Sequence, residues 1–99
     1  MKSYAMMMNS VHPGRILAEE MEARKLSANA LAIKLRTNRQ AIADIITCKR
    51  SISPVMALRI GHYFGTGPEL WVSMQSDYDL WKAEQAFGKQ IRREIKRAA

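Results

Sequence analysis

A short stretch near the middle of the chain holds side chains whose paired hydrogen-bonding groups match the edges of nucleic-acid bases. The Arg39 guanidinium suits the two acceptors of guanine, and the Gln40 amide suits the acceptor and donor of adenine. Ala43 is small enough for close approach or for contact with a thymine methyl group. Asp44 could accept a hydrogen bond from cytosine or only orient Arg39 or Arg36. We therefore predict Arg39, Gln40, Ala43 and Asp44 as base-reading residues.

Further polar and basic side chains surround this group and predict contacts with phosphates. Phosphate contacts fix the position of a protein on a duplex without reading its sequence. Cations just before and just after the base-reading group suit this role, as do a neighbouring amide and hydroxyl. The predicted phosphate-binding residues are Arg36, Asn38, Thr47, Lys49 and Arg50.

To reach DNA, these side chains must lie on a helix that few buried residues attach to the core and whose remaining surface is exposed. Residues 38–47 show that pattern. Three isoleucines form a narrow apolar seam along one edge: Ile42, Ile45 and Ile46. Polar and small residues repeat at i, i+3, i+4 and i+7 on another face: Gln40, Ala43, Asp44 and Thr47. We therefore predict a helix whose polar face is free to enter a groove of DNA.

The start of this helix carries a capping signal. The run Thr37-Asn38-Arg39-Gln40 predicts a capping box, in which the Thr37 hydroxyl accepts from a helical N–H and Gln40 reaches back. Asn38 is the alternative cap. Only three or four residues separate this helix from the one before it, and such a tight corner is typical of a helix-turn-helix.

Four more helices are predicted, and no segment alternates apolar and polar residues with the period of a strand. Their expected limits are residues 13 to about 24, 28–35, 54–64 and 69 to about 88. Caps or prolines mark their starts, at Pro13, Ser27, Ser53-Pro54 and Gly67-Pro68-Glu69. Gly65 is expected to end the fourth helix. The predicted fold is therefore all-α, with a basic helical tail after the fifth helix.

The apolar positions of these helices predict one shared core. Ninety-nine residues, of which 47% are hydrophobic, suffice for a single domain. The expected inward-facing residues outside the central helix are Ile16, Leu17, Met21, Ala28, Leu31, Ala32, Leu35, Ala57, Ile60, Gly61, Phe64, Leu70 and Trp71. We divide the chain into a flexible N-terminus at 1–10, a helix-turn-helix domain at 11–88 and a basic tail at 89–99.

The net charge of +7 indicates an anionic partner, and its distribution is uneven. Residues 34–50 and 89–97 are each rich in lysine and arginine, whereas residues 67–88 hold four acids and one lysine. Two basic segments around an acidic helix favour a nucleic-acid binder with a separate contact surface. Ordinary solubilising charge is the alternative.

Several other functions find no support in the residues. Cys48 is the only cysteine, so no internal disulfide is possible, and it has no base nearby in sequence to activate it. His12 and His62 do not match a zinc spacing with it; capping is expected of the first and partial burial of the second. Asp77 and Asp79 lie about 200° apart on a helix and do not converge. We expect no enzyme, cofactor or metal, and a soluble, cytoplasmic protein, since no apolar run approaches the ~20 residues of a membrane span.

One apolar stripe on the fifth helix has two interpretations. It consists of Leu70, Trp71, Met74, Tyr78 and Trp81, and the last four are the candidates for an interface. Spacing of this kind is typical of core residues. Some of the stripe is instead expected to form a dimer interface, because a domain of this size has limited core in which to bury two tryptophans.

The residues described above resemble a known family. The segment from Ala30 to Ile60 is similar to the phage-repressor-like (XRE) helix-turn-helix. More narrowly, the chain resembles the HigA antitoxins of toxin–antitoxin systems. The segments that carry this narrower resemblance are His12-Pro13-Gly14-Arg15-Ile16-Leu17, Ile52-Ser53-Pro54, Phe64-Gly65-Thr66-Gly67-Pro68-Glu69-Leu70-Trp71, and Gln75 with Tyr78-Asp79-Leu80. The resemblance covers roughly residues 11–82.

Two positions depart from the family pattern. Similar sequences usually have glycine where Arg36 lies in the turn and where Cys48 ends the central helix. Both positions are expected to need positive φ, which costs a non-glycine residue about 1–2 kcal/mol. The alternative is a slightly different turn. Neither change removes a predicted DNA contact.

The resemblance implies a repressor that binds the double-stranded DNA of its own operator and neutralises a HigB-type toxin. Such toxins resemble the RelE-like endoribonucleases that cleave messenger RNA. A homodimer is implied, with recognition helices about one DNA turn apart, ~34–36 Å. The alternative functions are a stand-alone helix-turn-helix regulator without a toxin, a small nuclease, and an interaction module that no longer binds DNA.

Overall fold

The computed structural model describes residues 11–99, which form five helices and no strand. The helices are α1 (Pro13–Ala23), α2 (Ala28–Leu35), α3 (Arg39–Ile46), α4 (Pro54–Phe64) and α5 (Glu69–Glu94). The predicted all-α architecture is therefore confirmed. The predicted flexible segment 1–10 lies outside the described residues.

Most helix starts are determined by local capping. Ser27 Oγ accepts from the Ala30 N–H at 3.0 Å, and Ser53 Oγ accepts from the Met56 N–H at 3.2 Å. His12 caps α1 in the same way, because its Nδ1 accepts from the Gly14 N–H at 2.8 Å. Each cap satisfies a helical N–H that has no partner within the helix.

The predicted capping box at α3 is wrong, and the alternative cap is confirmed. Asn38 is the N-cap, and its Oδ1 accepts from the Ala41 N–H at 2.8 Å. Gln40 is then only the second residue of the helix, one position too early to reach back to the cap. Its amide bonds to Asp44 instead.

Three helix ends share one arrangement. Lys25, Arg36 and Cys48 have φ of 57°, 58° and 64°. In each case the next N–H bonds to the carbonyl five residues earlier, at 2.8 Å after Lys25 and Cys48 and at 2.9 Å after Arg36. This pattern uses the free carbonyls of a helix end. The positive φ predicted for Arg36 and Cys48 is confirmed, whereas that of Lys25 was not predicted.

The core lies between all five helices. Its buried members include Leu17, Leu31, Ile42, Ile45 and Ile60, all of which were predicted to face inward. The backbones of α1 and α3 also approach each other closely. A Cβ on Gly14 would overlap the backbone carbonyl of Ile45, so the absence of a side chain at Gly14 lets the start of α1 pack against the end of α3.

The fifth helix is longer than predicted. α5 spans 26 residues and continues through Gly88, where its end was expected, to Glu94. A single interior glycine lowers helix stability by only about 1 kcal/mol relative to alanine, and good helix formers flank it on both sides. The described chain is therefore elongated, with principal extents of 53 × 23 × 22 Å. Within residues 11–99, no helix combines the length and apolar character of a membrane span.

Candidate nucleic-acid interface

One side of α3 packs against the core, and the opposite side is exposed to solvent. Ala41, Ile42 and Ile45 are buried beneath it, whereas Arg39 and Gln40 are exposed at its N-terminal end. Ala43 and Asp44 are half-buried on the same outer side. The predicted base-reading residues therefore share one accessible face, and none of them is needed to fill the core.

Two of these residues are already bonded to each other. Gln40 Nε2 donates to Asp44 Oδ1 at 2.8 Å, and Arg50 lies 3.6 Å from the other oxygen of the same carboxylate. Asp44 therefore orients Gln40 and forms a longer ion pair with Arg50, in place of the Arg39 or Arg36 of the sequence interpretation. The Gln40 amide keeps its oxygen and its second N–H free, which is the pair that adenine recognition requires.

The predicted phosphate-binding residues lie at the two ends of α3. Arg36 is exposed in the turn before it, and Lys49 and Arg50 are exposed after it. Asn38 uses its oxygen as a cap and keeps its NH2 group for donation. Thr47 donates its hydroxyl to the Ala43 carbonyl at 2.8 Å, so contact with a phosphate requires that bond to break.

A buried glutamine supports the segment after α3. Gln75 is 6% exposed, and its Oε1 accepts from the Ile52 N–H at 2.8 Å. Its Nε2 donates to Asp79 at 2.9 Å, so both ends of the amide are satisfied. Gln75 thereby connects α5 by a hydrogen bond to Ile52, in the segment between α3 and α4. Sequence reasoning assigned it no structural role, although a polar residue beside the apolar stripe of α5 is a usable signal.

An arginine from α4 holds the turn before α3. Arg59 Nη1 donates to the carbonyl of Leu35 at 2.7 Å and to that of Arg36 at 3.2 Å. These are end carbonyls of α2, which the helix itself leaves without partners. Arg59 was also missed from the sequence, since a contact across 24 residues leaves no local pattern.

Comparison with known proteins identifies the family. No protein-family model matches the chain. Its structure superposes with a TM-score of 0.86 on an addiction module antidote protein of the HigA family from Coxiella burnetii, which is 40% identical; the match covers 90% of this chain and 98% of that one. The antitoxin HigA of Pseudomonas aeruginosa, solved with the higBA promoter, is also 40% identical, with a TM-score of 0.88 and coverage of 91% and 99%.

The chain belongs to the HigA family of antitoxins. A sequence relative is virulence-associated protein I of Dichelobacter nodosus, 43% identical over 79 residues that cover 79% of this chain and 73% of that protein. The resemblance seen in residues 12–17 and 64–71 is thus confirmed for this HigA-family protein.

His12 of this HigA-family chain has the capping role predicted for it. It is buried at the start of α1, and its ring centroid lies 4.9 Å from that of Tyr78 on α5, in an edge arrangement. Burial lowers the pKa of His12 below its usual 6.5; Asp79 and a backbone hydrogen bond with Arg50 act against this shift, and Lys82 adds to it. His62, predicted to be partly buried, is instead exposed on α4.

The aromatic stripe of α5 faces mostly inward. Trp71 is 1% exposed, and its Nε1–H donates to Thr66 Oγ1 at 2.9 Å. For Trp71 the core interpretation applies, because its side chain offers almost no surface to a second copy. Met74, Tyr78 and Trp81 are half-buried. Leu70, predicted to face inward, is exposed.

Proposed function

We propose that this HigA-family chain binds the operator of its own operon through α3 and neutralises a HigB-type, messenger-RNA-cleaving toxin. The observation that carries the DNA-binding part is the outer face of α3, where Arg39 and Gln40 are exposed above a buried anchor of Ala41, Ile42 and Ile45. An exposed helix with an independent anchor can enter the major groove without losing core contacts.

Related structures support this assignment. The HigA of Pseudomonas aeruginosa was solved with the higBA promoter. The antitoxin GraA was solved in complex with its operator; it is 36% identical, with a TM-score of 0.83, and the match covers 90% of this chain and 91% of that one. The proposed role requires no catalytic step and no cofactor. We propose the cytoplasm as the location of the protein.

Within the proposed interface, Arg39, Gln40, Ala43 and Asp44 form the base-reading group. Arg39 makes no ion pair with another described residue, so its guanidinium is free for guanine. Asp44 acts mainly by holding Gln40, because one Gln40 N–H is bound to Asp44 while the remaining donor and acceptor stay aligned for adenine.

Phosphate binding is assigned to the residues around this group. They are Arg36, Asn38, Thr47, Lys49 and Arg50. If each subunit of a homodimer neutralises three or four phosphates, the log–log dependence of the binding constant on salt has a slope of about −5 to −7. Replacing Lys49 with alanine should weaken binding similarly on all DNA sequences and make this slope less steep.

Gel shifts with the chain's own promoter fragment test the DNA-binding part. Arg39→Ala should cost ~1–3 kcal/mol of binding and relax specificity at one or two base pairs. Arg24→Ala is the matched control, since it removes an exposed arginine that is paired with Glu20 at the far end of α1. A loss that is uniform over all DNA sequences would contradict the base-reading role of Arg39.

The toxin is tested separately from DNA binding. Co-expression with the neighbouring gene should yield a complex that co-purifies and should relieve growth arrest caused by that gene alone. The second candidate function, a stand-alone regulator, is favoured if the promoter is bound but no neighbouring product co-purifies. Loss of promoter binding with toxin binding retained would favour an interaction module.

A further inference from the structure

His12 lies where the start of α1, the segment after α3 and the middle of α5 come together. Its Nδ1 accepts from the Gly14 N–H at 2.8 Å and so caps α1. Its ring also forms a hydrogen bond with the backbone of Arg50, and the ring centroid lies 4.9 Å from that of Tyr78 on α5. Only 5% of the residue is exposed. One buried histidine therefore joins three separate elements.

The two ring nitrogens of His12 have different roles, and only the neutral ring can fill both. Because Nδ1 accepts from Gly14, the neutral ring carries its proton on Nε2. The hydrogen bond with the Arg50 backbone raises the pKa of His12, as donation from the ring to the Arg50 carbonyl does. A second proton would bind to Nδ1, the atom that faces the Gly14 N–H. Two donors would then oppose each other, and the cap of α1 would be lost.

The surroundings of the ring also disfavour a positive charge on it. The N-terminal end of a helix carries the positive end of the helix dipole, so a cation at the cap position is repelled. Burial is the largest cause of the lowered pKa of His12, and Lys82 lowers it further. The other titratable groups that face the ring are Asp79, which raises the pKa, and Tyr78, both on α5. The segment after α3 faces it with the backbone of Arg50.

The elements that this histidine joins also hold the end of α3. A Cβ on Gly14 would overlap the carbonyl of Ile45, so the capped first turn of α1 packs directly against the last turn of α3. The N–H groups of Lys49 and Arg50 donate to the Asp44 carbonyl at 2.8 and 3.1 Å. Lys49 and Arg50 belong to the proposed phosphate-binding group, and Asp44 belongs to the base-reading group. Loss of the cap would therefore loosen backbone that carries both groups.

We propose that His12 is a positioning residue for DNA binding: its neutral ring holds the end of α3 and the segment of Lys49 and Arg50 in place, and its protonation weakens binding of the operator. This inference rests on the proposed function and names a regulation of that same site. The expected direction is opposite to that of a direct contact, because a cation added beside DNA strengthens attraction to the phosphates. The sign of the pH dependence therefore separates positioning from contact.

Binding of the promoter fragment at constant ionic strength and several pH values tests this role. Because burial lowers the pKa of His12 below 6.5, the wild-type Kd should be constant above about pH 6.5. Below that value it should rise, by about threefold or more at pH 5, with a limiting slope of about tenfold per pH unit for each subunit. Circular dichroism at each pH verifies that the chain is folded.

Two asparagine variants assign the dependence to one histidine. His12→Asn retains a capping oxygen and cannot titrate, so its Kd should vary by less than about twofold over the same range. His62→Asn removes the other histidine of the chain and should keep the wild-type profile. The remaining titrating groups are the same in all three proteins.

Substitutions on α5 test the same point with the cap intact. Lys82→Gln removes a cation that lowers the pKa of His12 and should move the onset of weaker binding to higher pH. Asp79→Asn removes a carboxylate that raises this pKa and should move the onset to lower pH; asparagine keeps an oxygen for the Gln75 amide. Lys89→Gln is the control, because Lys89 is exposed farther along α5 and should leave the onset unchanged.

An NMR titration of the His12 ring signals provides the reciprocal measurement. If protonation weakens DNA binding, bound DNA must lower the pKa of His12 by the corresponding factor. A histidine that contacted phosphates would have its pKa raised by the DNA instead. The free chain and its complex with the promoter fragment are compared at the same ionic strength.

Four results would overturn the proposal: a wild-type Kd that is independent of pH, one that falls on acidification, a pH profile that His12→Asn leaves unchanged, and a His12 pKa that rises when DNA binds. Each of them leaves the proposed function standing, provided that the promoter is bound at pH 7.5. A chain that does not bind its promoter at any pH would refute the proposed function itself.

Discussion

The guanidinium of Arg59 donates a hydrogen bond of 2.7 Å to the carbonyl of Leu35, so that α4 holds the last turn of α2. The same nitrogen also reaches the Arg36 carbonyl. The turn between α2 and α3 is thus held by a side chain from outside the helix-turn-helix itself. Its geometry, and with it the direction in which α3 leaves the turn, depends on the packing of α4.

Arg59→Met should therefore lower the free energy of unfolding by about 1.5–3 kcal/mol, the contribution typical of a hydrogen bond to a charged group. Methionine keeps most of the aliphatic length while removing the donor. Urea denaturation followed by circular dichroism measures the change. Arg93→Met is the control, because Arg93 is exposed on α5 and its side chain makes no ion pair with another residue of 11–99. Equal effects of the two substitutions would show that Arg59 does not stabilise the turn.

Gln75→Leu should destabilise the protein by about 1–3 kcal/mol, because it leaves the buried Ile52 N–H without an acceptor. Hydrogen exchange should show faster opening of residues 49–53 than of α1. Gln85→Leu, an exposed position on the same helix, should change stability by less than about 0.5 kcal/mol. A neutral Gln75→Leu substitution would mean that the Ile52 N–H is solvated.

Acidification should destabilise the fold through His12. Because burial lowers the pKa of His12 in the folded state, the unfolded chain binds more protons below pH 6.5. The contribution of His12 to stability is therefore complete above about pH 6.5 and decreases as the pH falls below that value. Urea denaturation at several pH values measures this dependence.

Two asparagine variants isolate the histidine responsible. His12→Asn retains a capping acceptor without a titrating group, so its stability should vary less between about pH 7 and pH 5 than that of the parent chain. His62→Asn changes an exposed histidine and should retain the parental dependence. The reverse pattern would assign the effect to His62.

Cys48→Gly should stabilise the protein by about 1 kcal/mol, because glycine adopts the left-handed conformation found at this position without a Cβ penalty. Cys48 is exposed, so little packing is lost. Cys48→Ala is the matched control and should not stabilise, since it keeps the Cβ. Thermal denaturation measures the change. A similar rise in melting temperature for both variants would show that loss of the thiol, and not relief of backbone strain, stabilises the protein.

The parts of this structure that were predictable are those determined locally. Ser27 and Ser53 act on N–H groups three residues away, and the spacing of Ile42 and Ile45 indicates one buried edge. The outward position of Arg39 follows from the same period. Such relationships lie within one or two helical turns of sequence.

The contacts that were not predicted join distant segments. Arg59 and Leu35 are 24 residues apart, and Gln75 and Ile52 are 23 residues apart. Neither pair has a periodicity that would reveal it. The length of α5 was underestimated for a different reason: Gly88 resembles a stop signal, but the Glu84–Arg92 pair that lies across it becomes evident only in three dimensions.

In α3, the residues that pack in the core are different from the residues that are proposed to read DNA. Ala41, Ile42 and Ile45 hold the helix, while Arg39, Gln40, Ala43 and Asp44 face outward. The two sets share no member, so under the proposed function the outer residues can be exchanged, and the operator preference changed, without loss of core packing. Gln40 and Asp44 are hydrogen-bonded to each other, so under that function they are expected to change together.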